Sequence, residues 1–301
     1  MKYLAVTELP SKEFIKLALK QMGWNDEDFQ KFAHAGHPQE DYYLISDNYP
    51  IFVVADGVTL IQYLIEKKEY PNPSPAGDIA KIFCEEIIRE SEKRYGGFSE
   101  KDLKEVFNTA NEAVRKYNEE NGRTLGNLDY WFKDLYAATG AFVVIKGGIV
   151  YWASICDSYV VHFDKEGALN FESPNCDLLA EVKPKAFEGD LKDIKALTQY
   201  RWGMMRNGLN REGERTGYGV ITGEPNASTY LSSGKFEVHD GDLVLLITDG
   251  FEEYIKLPEF ISLTNSWPDD LESKLKNFTR VKAKEDPNKF GREKTLIARK
   301  I

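Results

Sequence analysis

Two apolar runs in this chain end in the same way. Residues 51–57 read IFVVADG and residues 243–250 read LVLLITDG. Runs of this length, closed by turn residues, predict buried strands. Each strand therefore delivers a carboxylate to its end, Asp56 in one and Asp249 in the other. A third acid, Asp41 in QEDYYLI, opens a strand over Tyr42–Ile45 just before the first run. The polar link Ser46–Pro50 joins the two as a hairpin.

Elsewhere the pattern alternates between helical and extended spacing. An extended stretch from Lys2 to Thr7 precedes Pro10, and Ser11 caps a helix carrying Phe14, Leu17, Ala18 and Met22 on one face. A second helical piece starts at Asn25 or Asp26 and includes Phe29 and Phe32. After the proline-rich loop 71–78, apolar positions predict a helix over Ile79–Tyr95. Another follows from Ser99, boxed by Asp102, with the stripe Leu103, Val106, Phe107, Ala110, Val114 and Tyr117 and a stop near Gly122. AFVVIKGGIVYWASI predicts two strands around Lys146-Gly147-Gly148, CDSYVVHF a third, and KFEVHDGDLVLLITDG two more. Helices are expected near Asp190–Met205 and Pro268–Lys284, with TLIARKI as a last strand. Hairpin-linked strands with segregated helices give an antiparallel, α+β layered architecture.

Composition narrows the function classes. The 301 residues are 42% hydrophobic, enough for a packed core, and the formal net charge of −10 disfavours nucleic acid as a partner. Cys84, Cys156 and Cys176 show no paired spacing, so neither a disulfide framework nor a zinc site is predicted, and a cytoplasmic setting is expected. No apolar run approaches the roughly 20 residues of a membrane helix, and MKYLAVTELP does not read as a signal peptide.

Carboxylates gathered at one sheet edge repel each other unless a cation sits between them, and hard divalent ions such as Mg²⁺ or Mn²⁺ take oxygen ligands. Two such ions about 4 Å apart activate a water for attack on phosphorus. A glycine after each acid lets backbone approach the site closely.

The ordered pieces Gln39-Glu40-Asp41, VVADG at 53–57, ATGAFVVI at 138–145, Cys156-Asp157-Ser158, LITDGF at 246–251 and Arg292-Glu293-Lys294-Thr295 resemble the metal-dependent protein phosphatases of the PPM (type 2C) family. The resemblance covers roughly residues 36–301, leaving 1–35 as an N-terminal helical extension. It implies a four-layer αββα sandwich with two central antiparallel sheets, and phosphoserine or phosphothreonine hydrolysis in a protein substrate. Carried over by motif, Asp56 bridges two Mg²⁺ or Mn²⁺ ions and the Gly57 carbonyl binds the first. Asp249 binds the second, Glu40 and Asp41 hold waters on the ions, and Asp157 serves a weaker third position.

The chain departs from that pattern in four places. Where the family carries its last Asp ligand stands Arg292, with Glu293 or Asp286 as stand-ins and Arg292 itself as an alternative source of positive charge. Cys156 replaces the glycine of the GDS turn, which predicts a different local backbone if that turn needs positive φ. Val58-Thr59 follow the first Asp-Gly, where the family often has further glycines. The family's upstream phosphate-gripping Arg has no counterpart, although His34 and His37 lie nearby and the segment Arg201–Arg206 falls where a flap is expected. These departures support an alternative, an inactive phosphatase-like module that binds and regulates. A further alternative is hydrolysis of a small phosphorylated metabolite.

Overall fold

The computed structural model describes residues 2–29, 37–175 and 193–301. Within these residues ten strands form two five-stranded antiparallel sheets. In chain order they are β1 (Lys2–Glu8), β2 (Asp41–Ile45), β3 (Ile51–Gly57), β4 (Ala138–Lys146), β5 (Ile149–Ile155), β6 (Tyr159–Phe163), β7 (Leu169–Glu172), β8 (Ser232–Glu237), β9 (Leu243–Ile247) and β10 (Lys294–Lys300). One sheet runs β1-β10-β9-β6-β7 and the other β2-β3-β4-β5-β8. The two strand-Asp-Gly runs therefore lie one in each sheet.

Side-chain alternation builds three apolar layers from these strands. Along β3, Ile51, Val53 and Ala55 pack on the helices Pro75–Arg94 and Glu100–Glu120, through Ile79, Phe83, Ile87, Val106 and Phe107. The intervening Phe52 and Val54 face the other sheet, where they meet Val244 and Leu246 of β9 and Ile297 of β10. Leu243, Leu245 and Ile247 turn outward onto Phe251, Tyr254, Phe260 and Leu275, under the helices Pro258–Ser266 and Leu271–Glu285. Each fully buried large aliphatic or aromatic side chain is worth roughly 1.5–3 kcal/mol, so the α-β-β-α layering follows from strands with two apolar faces. This is the α+β sandwich that the resemblance implies.

Several elements differ from the sequence expectation. The helix expected over Ile79–Tyr95 begins at Pro75, because Ser74 caps it and Pro75 occupies its first turn. The helix expected near Pro268–Lys284 is Leu271–Glu285, and a further helix that the sequence reading did not give, Pro258–Ser266, precedes it and ends at Trp267, whose φ is 48°. Of the piece expected near Asp190–Met205, Ile194–Tyr200 is α-helical and Arg201–Met205 is a π turn, while Asp190 lies outside the described residues. Residues 26–29 are helical, and Phe32, His34 and Cys176 lie outside the described residues. The strands around residues 239–242 are not a hairpin, since β8 belongs to one sheet and β9 to the other. The same change of sheet occurs between β5 and β6, across Cys156-Asp157-Ser158.

The first residues enter the sandwich directly. β1 pairs with β10 from Lys2↔Lys300 to Glu8↔Lys294 and forms one edge of its sheet. The helix Lys12–Gln21 then turns back, with Ser11 capping it through Phe14 N–H at 3.1 Å. The Ser11 amide also donates to the Gly291 carbonyl at 2.7 Å. A Cβ on Gly291 would lie 2.6 Å from Ser11 Oγ and 2.8 Å from Phe14 Cβ. The N-terminal helix thus abuts the loop that carries Arg292 and Glu293. Among the described residues no helix is long and apolar enough to cross a membrane.

Candidate metal centre

The alternation that fills the inter-sheet core also ends it in polar groups. Continuing the phase of Phe52 and Val54 brings Asp56 to the same face of β3, and the phase of Ile45 and Tyr43 brings Asp41 to that face of β2. The two carboxylates are direct cross-strand partners in the β2–β3 register. From the other sheet, Thr248 follows Val244 and Leu246, and its hydroxyl donates to Asp41 Oδ2 at 2.8 Å. Thr295 anchors Thr248 in turn, its amide donating to Thr248 Oγ1 at 2.8 Å and its carbonyl accepting from Thr248 N–H at 3.0 Å. One end of the sandwich is therefore capped by acids and hydroxyls drawn from both sheets.

Asp249 opens the turn just beyond β9 and Asp157 lies in the turn between β5 and β6. Asp56 senses both of these charges as well as those of Asp41 and Glu293. Burial raises its pKa well above the ordinary carboxylate range, and the four neighbouring acids push it in the same direction. Asp41 is pushed up to about 7, chiefly by burial, against the hydrogen bonds from Thr248 and Thr295. Its Oδ1 is buried and has no hydrogen-bond partner among the described residues. Burial also raises Asp249, while Arg292 opposes that shift. A buried acceptor left unpaired costs about 1–3 kcal/mol, and clustered buried carboxylates cost more unless paired or bound to metal. The donor set consists of hard oxygens with one orphan among them, which fits Mg²⁺ or Mn²⁺.

Two glycines let the backbone close around these acids. A Cβ on Gly57 would lie 2.6 Å from the Ala76 backbone, at the start of the helix Pro75–Arg94. A Cβ on Gly250 would lie 1.9 Å from the Glu293 carbonyl, so only glycine lets the Arg292–Lys294 segment cross the Asp249 turn. Cys156 adopts a left-handed backbone, at φ 63°. The buried Cys156 side chain packs with Ala137 and Val220 and accepts the strain.

The remaining candidate residues differ in where they point. Arg292 points to the cluster, its Nη1 donating to Asp249 Oδ2 at 2.5 Å. Glu293 Oε1 accepts from the amides of Glu40 and Asp41, each at 2.8 Å, and from the Gln39 side chain. Its pKa is pushed up to about 9, first by burial and then by the charge of Asp41. Glu40 accepts from Tyr70 Oη at 2.7 Å, Thr59 Oγ1 at 3.1 Å and Ser74 Oγ, with burial raising its pKa. His37 stands between these two glutamates, 3.7 Å from Glu40 Oε2 and 3.8 Å from Glu293 Oε2, and stacks on Tyr70. Asp286 is exposed and caps the short helix Pro287–Phe290 through the Lys289 amide. His34 lies outside the described residues.

Several partners in the site escape sequence reasoning. Thr248 had a signal, since it completes the alternation of LVLLIT immediately before the acid. Tyr70 and Ser74 had none, because a proline-rich loop does not announce that its hydroxyls fold back onto Glu40. The two arginines of the expected flap separate. Arg206 is buried and bidentate on Asp134, at 2.7 and 3.0 Å, with Nε on Glu224 at 3.1 Å. Arg201 and Trp202 instead line a cleft of about 530 Å³, together with Asp56, Asp157, Asp249, Arg292 and side chains of the helix Lys12–Gln21.

No known family profile matches the chain, and no curated protein matches it by sequence. Solved structures match across its whole length. The catalytic domain of the serine/threonine phosphatase PstP, solved with 2 manganese ions, is 13% identical over 99% of this chain and 96% of its own, with a TM-score of 0.56. Another structure of PstP, from Mycobacterium tuberculosis, is 12% identical over 99% and 97%, with a TM-score of 0.55. PppA, a regulatory component of the T6SS in Pseudomonas aeruginosa, is 14% identical over 100% and 97%, with a TM-score of 0.57. At these identities the likeness is one of fold, and the fold is that of PPM-type serine/threonine phosphatases.

Proposed function

We propose that this protein is a Mg²⁺- or Mn²⁺-dependent phosphatase that hydrolyses phosphoserine or phosphothreonine in a protein substrate. The observation that carries the reading is the meeting of Asp41 and Asp56 with Asp249 at one end of the inter-sheet core, with Asp41 Oδ1 buried and unpaired. The fold of known phosphatases supports it. Asp41, Asp56, Asp157 and Asp249, with the Gly57 carbonyl, are the groups that would hold divalent ions. Bound there, such ions polarise a phosphoryl oxygen and lower the pKa of a water for in-line attack.

The chain's own residues do the rest. Thr248 and Thr295 fix the Asp41 carboxylate, and Glu293 fixes the Glu40–Asp41 backbone behind it. Glu40, held by three hydroxyls, ties the loop bearing Tyr70 and Ser74 to the start of β2. Arg292, half exposed in the cleft, is placed to meet a phosphoryl oxygen.

The test is hydrolysis of p-nitrophenyl phosphate and of a phosphopeptide panel with Mn²⁺. Turnover is expected, and it is lost with EDTA and in Asp56→Ala. A folded, metal-loaded protein without turnover would end this reading. The pairing of Arg292 with Asp249 favours a second one, a phosphatase-like module that binds phosphorylated protein without hydrolysing it. Phosphopeptide binding with no release of phosphate would select that alternative.

A further inference from the structure

The acid cluster is electrostatically divided. On one side Asp41 and Asp56 face each other across adjacent strands, and no cation is hydrogen-bonded to either among the described residues. On the other side a guanidinium is already in place. Arg292 Nη1 sits 2.5 Å from Asp249 Oδ2, and the charges of Asp249, Asp157 and Glu252 all act on it. Its position is set by rigid surroundings. Gly250 lets the Glu293 backbone press on the Asp249 turn, Ser11 holds the Gly291 carbonyl, and the Arg292 carbonyl accepts from the buried Lys294 ammonium at 2.9 Å. Arg292 therefore reaches Asp249 from a fixed base.

We propose that Arg292 takes the place of a second divalent ion. The site then holds a single Mg²⁺ or Mn²⁺ ion on the Asp41–Asp56 side, and Arg292 supplies the other positive charge against Asp249. The physical reason is competition for one carboxylate. A guanidinium in contact with Asp249 neutralises it, so a divalent ion there would have to displace a charged hydrogen bond and then sit beside a fixed cation. The Asp41–Asp56 side has the opposite balance, with the buried Asp41, its orphan oxygen and no such partner among the described residues. A guanidinium has five N–H donors and one is used on Asp249, so the others can receive a phosphate oxygen from the cleft. Arg292 is then both a fixed charge and the phosphate grip that the upstream sequence lacks.

This inference rests on the phosphatase reading, and the test separates the two. Mn²⁺ stoichiometry is measured by native mass spectrometry and titration calorimetry, with electron paramagnetic resonance of the loaded protein. The wild type is expected to bind one ion with the spectrum of an isolated Mn²⁺. Arg292→Asp, which adds an oxygen ligand and removes the guanidinium, is expected to bind two ions with a coupled spectrum. Arg292→Ala provides a second route to the same gain should the aspartate variant fold poorly. Two coupled ions in the wild type would overturn the single-ion proposal and leave the phosphatase reading intact. No bound ion in the folded wild type would overturn both. One ion in all three proteins would show that Arg292 does not set the count, and would also overturn it.

Discussion

Asp56 combines a largely desolvated position with four acidic neighbours, so without metal it works against folding. Its pKa is raised in the folded state, so folding binds protons. Stability of the metal-free protein therefore falls as pH rises from the unfolded carboxylate range, near 4, toward the folded value. Asp41, pushed up to about 7, acts in the same sense. Asp56→Asn removes one of these charges while keeping the shape. In EDTA at pH 8 it is expected to be more stable than the wild type by about 1–2 kcal/mol, with the gain shrinking toward pH 5. Thermal melts across that range check the prediction, and a lower melting temperature for the variant at pH 8 would contradict it. Residues of this kind were legible in the sequence because strand alternation ends on an acid. Arg292 was legible only as a departure, and its contact with Asp249 depends on a loop path that no local pattern encodes.

At the scale of elements, the site depends on turns that bring separate strands together. Gly250→Ala forces a Cβ into the Glu293 carbonyl. Because the obstructing atom is backbone, the variant is expected to lose about 3 kcal/mol, comparable with other severe steric changes, and to displace Arg292. Denaturant unfolding measures the loss, and a change under 1 kcal/mol would refute the close approach. The flap segment offers a second check. Arg206 is buried between Asp134 and Glu224, so Arg206→Ala strands two acids and is expected to cost about 3–5 kcal/mol. Pairing Arg206→Met with Asp134→Leu is expected to recover part of that loss. Sequence periodicity located most strands and the long helices, since their apolar stripes are continuous, but missed β7, whose residues are mostly exposed. It could not show that β5 to β6 and β8 to β9 change sheets, because a tight polar turn looks the same whether its strands pair or part. Nor could it show that Arg206 turns inward, since an arginine in an amphipathic segment ordinarily stays in water.

For the whole molecule, the two strand-Asp-Gly runs matter because they lie in different sheets. An ion held by Asp41 and Asp56 would relieve the repulsion among the acids that meet at this end of the sandwich. Saturating Mn²⁺ is therefore expected to raise the melting temperature, by the equivalent of about 2.7 kcal/mol at a hundredfold excess over its dissociation constant, and Asp56→Ala is expected to abolish that shift. An equal shift in both proteins would place the ion elsewhere. An antiparallel α+β layering was legible from hairpin-linked strands and segregated helices, and the two-sheet sandwich from the resemblance to the PPM family. The place of the first residues was less so, because β1 as an edge strand and the helix Lys12–Gln21 as a support for the Arg292 loop both rest on contacts with the far end of the chain. The most direct test of the account is anomalous diffraction from crystals grown with Mn²⁺. The account predicts a peak within ligand distance of the Asp41 and Asp56 carboxylates, and crystals of a folded, Mn²⁺-saturated protein with no peak at that position would contradict it.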